Sequence, residues 1–474
     1  MFDHIMFENG DERLAGRRRV IVASGSLILT LLISAPAAAQ DPCPPQITSI
    51  NADTVISENE ACPSTPPPPI SQSDTPDYQD PLATCSGLQS RRVVSVSNAT
   101  ALQQAMNNAS CGDTIQLAGG SYGSNLALSK SCPANNPVIV KGAANFASVA
   151  TGRWTTTGAR NIITGIKFSG SSSGVNCRGT NNKIIGNRFT GTGGNAIQLS
   201  AEASAAVACE IAYNELYNPA AGCVGAGEFK QAIKMNTAGS GQSTTAQKNV
   251  WIHHNYFRDW TSAGCNQGDV IEIGESGQYD WVPNLQLGMY IEDNLIDNYT
   301  RSGQAAFDIK IGGNVIRRNT IVNSTNVRIQ GRQGIGSIWE SNWIGSGALM
   351  VNNRDNIVVC NRVRGQNIRV QAGTQEPAEL GNGYPRAVDT LVAGNDGPLL
   401  VGHQYNSNYD LAATNTTIED HTGSISFGLH TGTVNNSGSP SSYVCPAAVE
   451  LSPSQVGLAA MDQAPASYLT CRRP

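Results

Sequence analysis

The chain has 474 residues, enough for two or three average domains or one long solenoid, with a formal net charge of −5. Charged residues make up only 14% and aromatics 6%, while 49 glycines accompany many Asn, Ser and Thr residues, a balance that favours turns and strands over helices. The negative balance gives no global attraction to an anionic partner, which argues against a basic nucleic-acid-binding protein; an acidic polymer would need a local basic groove.

At the N-terminus, Arg17, Arg18 and Arg19 precede an apolar run from Val20 to Ile33 and a small-residue stretch ending at Ala39. That order predicts a cleaved export signal over 1–39. The apolar run is shorter than the roughly 20 residues a spanning helix needs, so no membrane insertion is expected after cleavage, and the mature protein is placed in the periplasm or outside the cell. Residues 40–90, with the run Pro66 to Pro69, read as a linker rich in Pro, Ser and Thr. The twelve cysteines show no CxxC spacing and, after export, are read as disulfide partners of undetermined connectivity.

A folded domain is expected over 91–445. It opens with a strand, a short amphipathic helix that would cap a solenoid end, and a second strand, all within "RRVVSVSNATALQQAMNNASCGDTIQLAGGSY". Beyond Pro137 one phrase recurs, apolar-x-x-Asn-x-apolar, at Asn187, Asn214, Asn255, Asn294, Asn319, Asn342 and Asn361, separated by 27, 41, 39, 25, 23 and 19 residues. Coil-length periods with short alternating strands predict an all-β, right-handed parallel β-helix. Each asparagine is expected at a turn, in a left-handed backbone, with its side chain bonding its counterparts on neighbouring coils. After Gln371 the rhythm weakens; "AVDTLVAGNDGPLLVGHQYN" and "NTTIEDHTGSISFGL" read as strands of final coils, and 446–474 as a terminal segment without assignable chemistry.

Two segments carry candidate chemistry. In "AAFDIKIGGNVIRRNTI", Lys310 alternates with Asp308; in "NVRIQGRQGIGSIWESNWI", Arg332 follows Lys310 by 22 residues, about one coil. The two cations are therefore expected on adjacent coils, about 4.8 Å apart along the stack, a pair suited to an anionic sugar. His254, in "VWIHHNYF", is a further candidate for substrate contact, although a histidine beside a turn asparagine is commonly a stacking residue.

These segments, with "NIITGIKFSG", "NQGDVIEIGES" and "YIEDNLIDNYT" in the same order, resemble polysaccharide lyase family 6, which includes chondroitinase B and many alginate lyases, over roughly Val93 to Val363. The resemblance implies β-elimination on a uronate polymer such as alginate, with Lys310 as base and Arg332 as acid. Gln333 stands where the family has histidine. A lysine base requires a depressed pKa, which a neighbouring cation and partial burial are expected to supply. The resemblance also implies calcium held by one Asn and two Glu. Asn266 matches the Asn ligand, but the stretch before Lys310, "SGQAAFDI", lacks the expected Glu-x-Glu. Either Asp308, Asp269 and Glu272 substitute, or the site works without calcium, with Glu272 and basic side chains such as Arg328 meeting the substrate. The alternatives are a non-catalytic β-helix that binds glycans or serves adhesion, a lyase acting on chondroitin or dermatan sulfate or on pectate, and a glycoside hydrolase, for which no convincing carboxylate pair stands out.

Overall fold

The computed structural model describes residues 92–461 apart from 134–135, 171, 192–193, 201–208, 220–230, 237–248, 262–267, 275–287, 301–304, 326, 333–335, 353, 372–386, 403–412, 429–430 and 438–444. The expected export signal and linker lie outside the described residues. No described helix is long and apolar enough to cross a membrane.

Short strands, from two residues at Trp343–Ile344 to six at Tyr256–Thr261, stack into three sheets of 14, 12 and 10 strands. Apart from those at the sheet ends, each described strand pairs in parallel with its counterparts one coil before and one coil after, as Phe307–Ile309 does with Ile271–Ile273 and Arg328–Gly331. This is the right-handed parallel β-helix that the asparagine period predicts. Coils continue past Gln371: Leu391–Ala393, Thr416–Glu419 and Val434–Asn436 extend the 14-stranded sheet.

Period-two alternation sends one side chain in two to the interior, where equivalent residues stack. One column of the 14-stranded sheet runs Ile163, Ile184, Ile211, Ile252, Ile291, Ile316, Trp339, Val358 and Val392, all buried. Full burial of each such side chain contributes about 1.5–3 kcal/mol before the entropy of ordering the coil is counted. The helix Ala99–Asn107 closes the first coils; Asn98 caps it by accepting from the Ala101 amide at 2.9 Å, and Leu102 and Met106 are buried.

The recurring asparagines form a buried ladder. Asn187 Nδ2 donates to Asn214 Oδ1 at 3.2 Å, and the pattern repeats through Asn255, Asn294, Asn319, Asn342 and Asn361 to Asn395, each step 2.9–3.0 Å. The structure corrects one detail of the sequence reading. The left-handed residue is the one before each asparagine, as at His254 (φ 52°), Asp293 (55°), Arg318 (52°) and Cys360 (60°). The asparagine has already left that region, so its amide points inward to its counterparts.

A C-terminal segment crosses the outside of this turn. A disulfide joins Cys360 to Cys445, Ser341 Oγ donates to Pro446 O at 3.0 Å, Leu451 N to Thr320 Oγ1 at 3.0 Å and Gly457 N to His254 O at 2.7 Å. Met461 and Tyr213 then pack on Ile185 and Ala212. Two more disulfides, Cys111–Cys132 and Cys177–Cys209, link neighbouring coils.

Candidate active site

The 12-stranded sheet carries the candidate site. On its strands Ile233, Met235, Ile271, Ile273, Phe307, Ile309 and Ile329 belong to the core, so the residues between them face away from it. Register aligns those intervening residues in a row, Gln198, Lys234, Glu272, Asp308 and Gln330, one per coil. Two residues further on, the amides of Lys310 and Arg332 continue the ladder by donating to Ile273 O at 2.8 Å and Ile309 O at 2.7 Å. Lys310 and Arg332 therefore lie on adjacent coils.

Charges of both signs interlock here. Lys310 Nζ lies 2.5 Å from Glu272 Oε1 and 3.3 Å from Asp308 Oδ2, and its side chain is only 1% exposed. Glu272 Oε2 accepts from Gln231 Nε2 and faces Lys234 Nζ at 3.5 Å. Asp308 Oδ1 accepts from Gln330 Nε2 at 2.7 Å, while its Oδ2 faces Arg332 Nη1 at 3.6 Å. Arg332 remains 32% exposed, the most accessible cation of this network. A third carboxylate, Asp269, accepts from the Ala305 amide at 3.0 Å, and one oxygen from each of Asp269, Glu272 and Asp308 lies within 4.8 Å of the others.

Burial pulls the Lys310 ammonium toward a lower pKa, but the Asp308 and Glu272 carboxylates outweigh it, and the net shift is upward. The sequence reading expected the opposite direction from partial burial and a neighbouring cation. The reason is composition: Lys310 sits between two carboxylates, and Arg332 is the weaker neighbour. Burial, reinforced by Asp308 and Glu272, pushes the Asp269 carboxyl up to about 7.

A buried acid with a raised pKa makes folding less favourable as pH climbs from its unfolded value, near 4, toward 7, because the unfolded chain loses its proton first. Asp269→Asn keeps an oxygen for the Ala305 amide and removes that penalty. The variant is expected to be more stable than the parent at pH 8, by up to about 4 kcal/mol, with the difference vanishing near pH 4. Denaturant unfolding at the two pH values reads it.

Of the residues singled out in the sequence, Lys310, Arg332 and Glu272 converge. Arg328 begins the strand Arg328–Gly331, two residues before Gln330 and so on the same side of it. His254 lies elsewhere, at the turn between the 14- and 10-stranded sheets, its ring stacked on Tyr213 at 5.0 Å and its Nδ1 3.0 Å from His253 Nδ1. Its carbonyl is held by the C-terminal segment. Asn266 and Gln333 lie outside the described residues. Sequence reading passed over Lys234, Gln231 and Gln330. Writing "QAIKMN", "DVIEIG", "AAFDIK" and "VRIQGR" under one another aligns Lys234, Glu272, Asp308 and Gln330 in one column, and that alignment was the available signal.

The calcium implied by the resemblance can be tested against these donors. Calcium takes six to eight oxygens at about 2.3–2.6 Å. The three carboxylates converge, yet Lys310 Nζ occupies the approach to Glu272 and Asp308, and Gln231, Lys234, Gln330 and Arg332 direct N–H groups at the same carboxylates. This donor set, as arranged, does not fit a divalent cation.

No protein-family model matches the sequence, and no curated protein matches it. Solved structures do match in shape. The polysaccharide lyase Pedsa3628 from Pseudopedobacter saltans, described as a member of family 6, is 16% identical with a TM-score of 0.56, over 77% of this chain and 99% of that one. Alginate lyase AlyF-OU02, solved with G6, is 15% identical with a TM-score of 0.52, over 80% and 90% of the two chains. A mannuronic acid specific family 6 lyase from human gut microbiota is 16% identical with a TM-score of 0.50, over 71% and 82%. The chain thus shares its parallel β-helix fold with solved lyases of polysaccharide lyase family 6.

Proposed function

We propose that the protein is an exported polysaccharide lyase that cleaves a uronate-containing polymer, alginate first among the candidates, by β-elimination. The observation that carries this reading is the placement of Lys310 and Arg332 on adjacent coils of one sheet face, with carboxylates beside both. Elimination needs three things: a base for the proton on C5, charge compensation at the uronate carboxylate that acidifies that proton, and a donor to the departing O4. Arg328 and Arg332 suit the carboxylate and the leaving oxygen, since both are cations on the side of the sheet that faces away from the core. Arg332 as the acid rests on the family resemblance, because a guanidinium parts with a proton reluctantly.

Lys310 takes the role of base only as the free amine. The nearest acceptors for its proton are Glu272 Oε1 and Asp308 Oδ2. Transfer of that proton within the cluster would leave a neutral amine and a carboxylic acid with no change in net charge, a step that the upward shift of Lys310 opposes in the resting protein. The three disulfides among the described residues accord with export.

A second reading is favoured by one observation. An ammonium that is 1% exposed and paired twice is also what a structural ion pair looks like, and a glycan-binding β-helix needs nothing more. Offering polymannuronate, polyguluronate, pectate and dermatan sulfate separately decides between them. Growth of the ultraviolet absorbance of an unsaturated uronate on any one supports the lyase and names its substrate. Binding without absorbance on all of them supports the binding module, and new reducing ends without absorbance indicate a hydrolase.

A further inference from the structure

The Asp269, Glu272 and Asp308 carboxylates form a cage that a hard divalent cation would ordinarily fill, since three oxygens within 4.8 Å of one another repel unless a positive charge lies between them. A positive charge is present, and it belongs to the chain. Lys310 Nζ lies 2.5 Å from Glu272 and 3.3 Å from Asp308, deep enough that its side chain is 1% exposed. The surrounding donors complete the replacement. Gln231 and Lys234 face the second oxygen of Glu272, and Gln330 and Arg332 take up Asp308. Each brings a positive hydrogen to an oxygen that a metal would otherwise claim. A divalent ion added to this arrangement would face the repulsion of two ammonium groups and a guanidinium within a few ångströms.

We propose that the Lys310 ammonium is the resident cation of the Asp269–Glu272–Asp308 cage, and that removing it converts the cage into a site for a calcium-class divalent ion. The inference takes its location from the lyase reading, but its tests use no substrate, so it stands or falls separately. The cage accounts for why a chain lacking the Glu-x-Glu pair keeps three buried carboxylates in one place: they hold an amine where others would hold a metal.

The test compares the parent, Lys310→Met and Lys310→Arg in metal-free buffer. Methionine keeps the length and apolar stem of lysine without its charge; arginine keeps the charge. Terbium, a luminescent ion close to calcium in size, and calcium itself are titrated into each, and thermal unfolding is followed with and without calcium. Lys310→Met is expected to bind one ion at least about 100-fold more tightly than the parent and to gain thermal stability with calcium, because an ion held only by the folded state shifts unfolding. The parent and Lys310→Arg are expected to show neither effect. Adding Glu272→Gln to Lys310→Met should remove the binding. If Lys310→Met fails to fold in metal-free buffer, refolding from denaturant with calcium supplies the reading: recovery that depends on calcium supports the proposal, and equal failure with and without it overturns it. Binding of calcium by the parent that is lost in Glu272→Gln also overturns it, as does a folded Lys310→Met that binds no better than the parent.

Discussion

Lys310→Ala is expected to lower turnover on the uronate polymer by about 10²- to 10⁴-fold, the range that a positioned base contributes. The substitution also strands Glu272 and Asp308, two buried carboxylates that lose their shared ammonium, and breaking a buried ion pair costs about 3–5 kcal/mol. Loss of activity by itself would therefore not distinguish a missing base from a loosened site. Lys310→Arg makes the distinction. The guanidinium keeps the positive charge between the carboxylates, so the fold is retained, but it holds its proton too tightly to act as a base. If Lys310 is the base, the arginine variant is as inactive as the alanine variant while unfolding near the parent's midpoint. If Lys310 serves only as a structural cation, arginine restores most of the turnover.

The second large effect concerns stability. Asn294→Ala in the middle of the ladder is expected to destabilise the protein by roughly 3–5 kcal/mol, because several hydrogen bonds go at once and their partners stay buried. Asn294 Oδ1 accepts from the Asn255 amide and from Asn255 Nδ2, both at 3.0 Å, and its own Nδ2 donates to Ile252 O at 2.9 Å, Glu292 O at 3.0 Å and Asn319 Oδ1 at 3.0 Å. Asn294→Asp is the informative companion. It keeps the acceptor oxygen but replaces the donor with a second acceptor facing carbonyl oxygens, and it buries a carboxyl in the core, so it is expected to be no better than alanine. Denaturant midpoints at matched m-values read both variants.

Much of the fold was legible because a β-helix repeats. Every coil must present apolar residues at the same places and close the same turn, so "IHHNYF", "IEDNLI" and "IRRNTI" announce the architecture without any knowledge of its neighbours. The capping helix was legible for a local reason, since Asn98 before an amphipathic run is a start signal. What the phrase could not reveal was which residue takes the strained backbone. The asparagine is a natural candidate for φ above zero, yet the buried ladder needs its amide, so the burden falls on whichever residue precedes it, even Cys360 or Arg318.

The site was legible in position and less so in charge. One period from Lys310 to Arg332 placed them on adjacent coils, and Glu272 joined them. The direction of the Lys310 shift was harder to read: Asp308, two residues before it, raises it, and Glu272, 38 residues away in sequence and 2.5 Å away in space, adds to that where sequence expected a cation to dominate. Segments of unequal length separate the coils, from 19 residues to 41 between ladder asparagines, and hide which residues of distant coils stand side by side. His254 shows the converse: a motif conspicuous in sequence that folding commits to a turn on another side of the helix.

Cleavage of the polymer by elimination is tested most directly by the products themselves. After complete digestion of polymannuronate or polyguluronate, mass spectrometry of the oligosaccharides should show every newly formed non-reducing end one water lighter than a hydrolysis product and carrying a C4–C5 double bond, with Lys310→Arg leaving the polymer intact. Saturated ends of full hydrolytic mass, or uronate polymers left uncut by the parent protein, would contradict it.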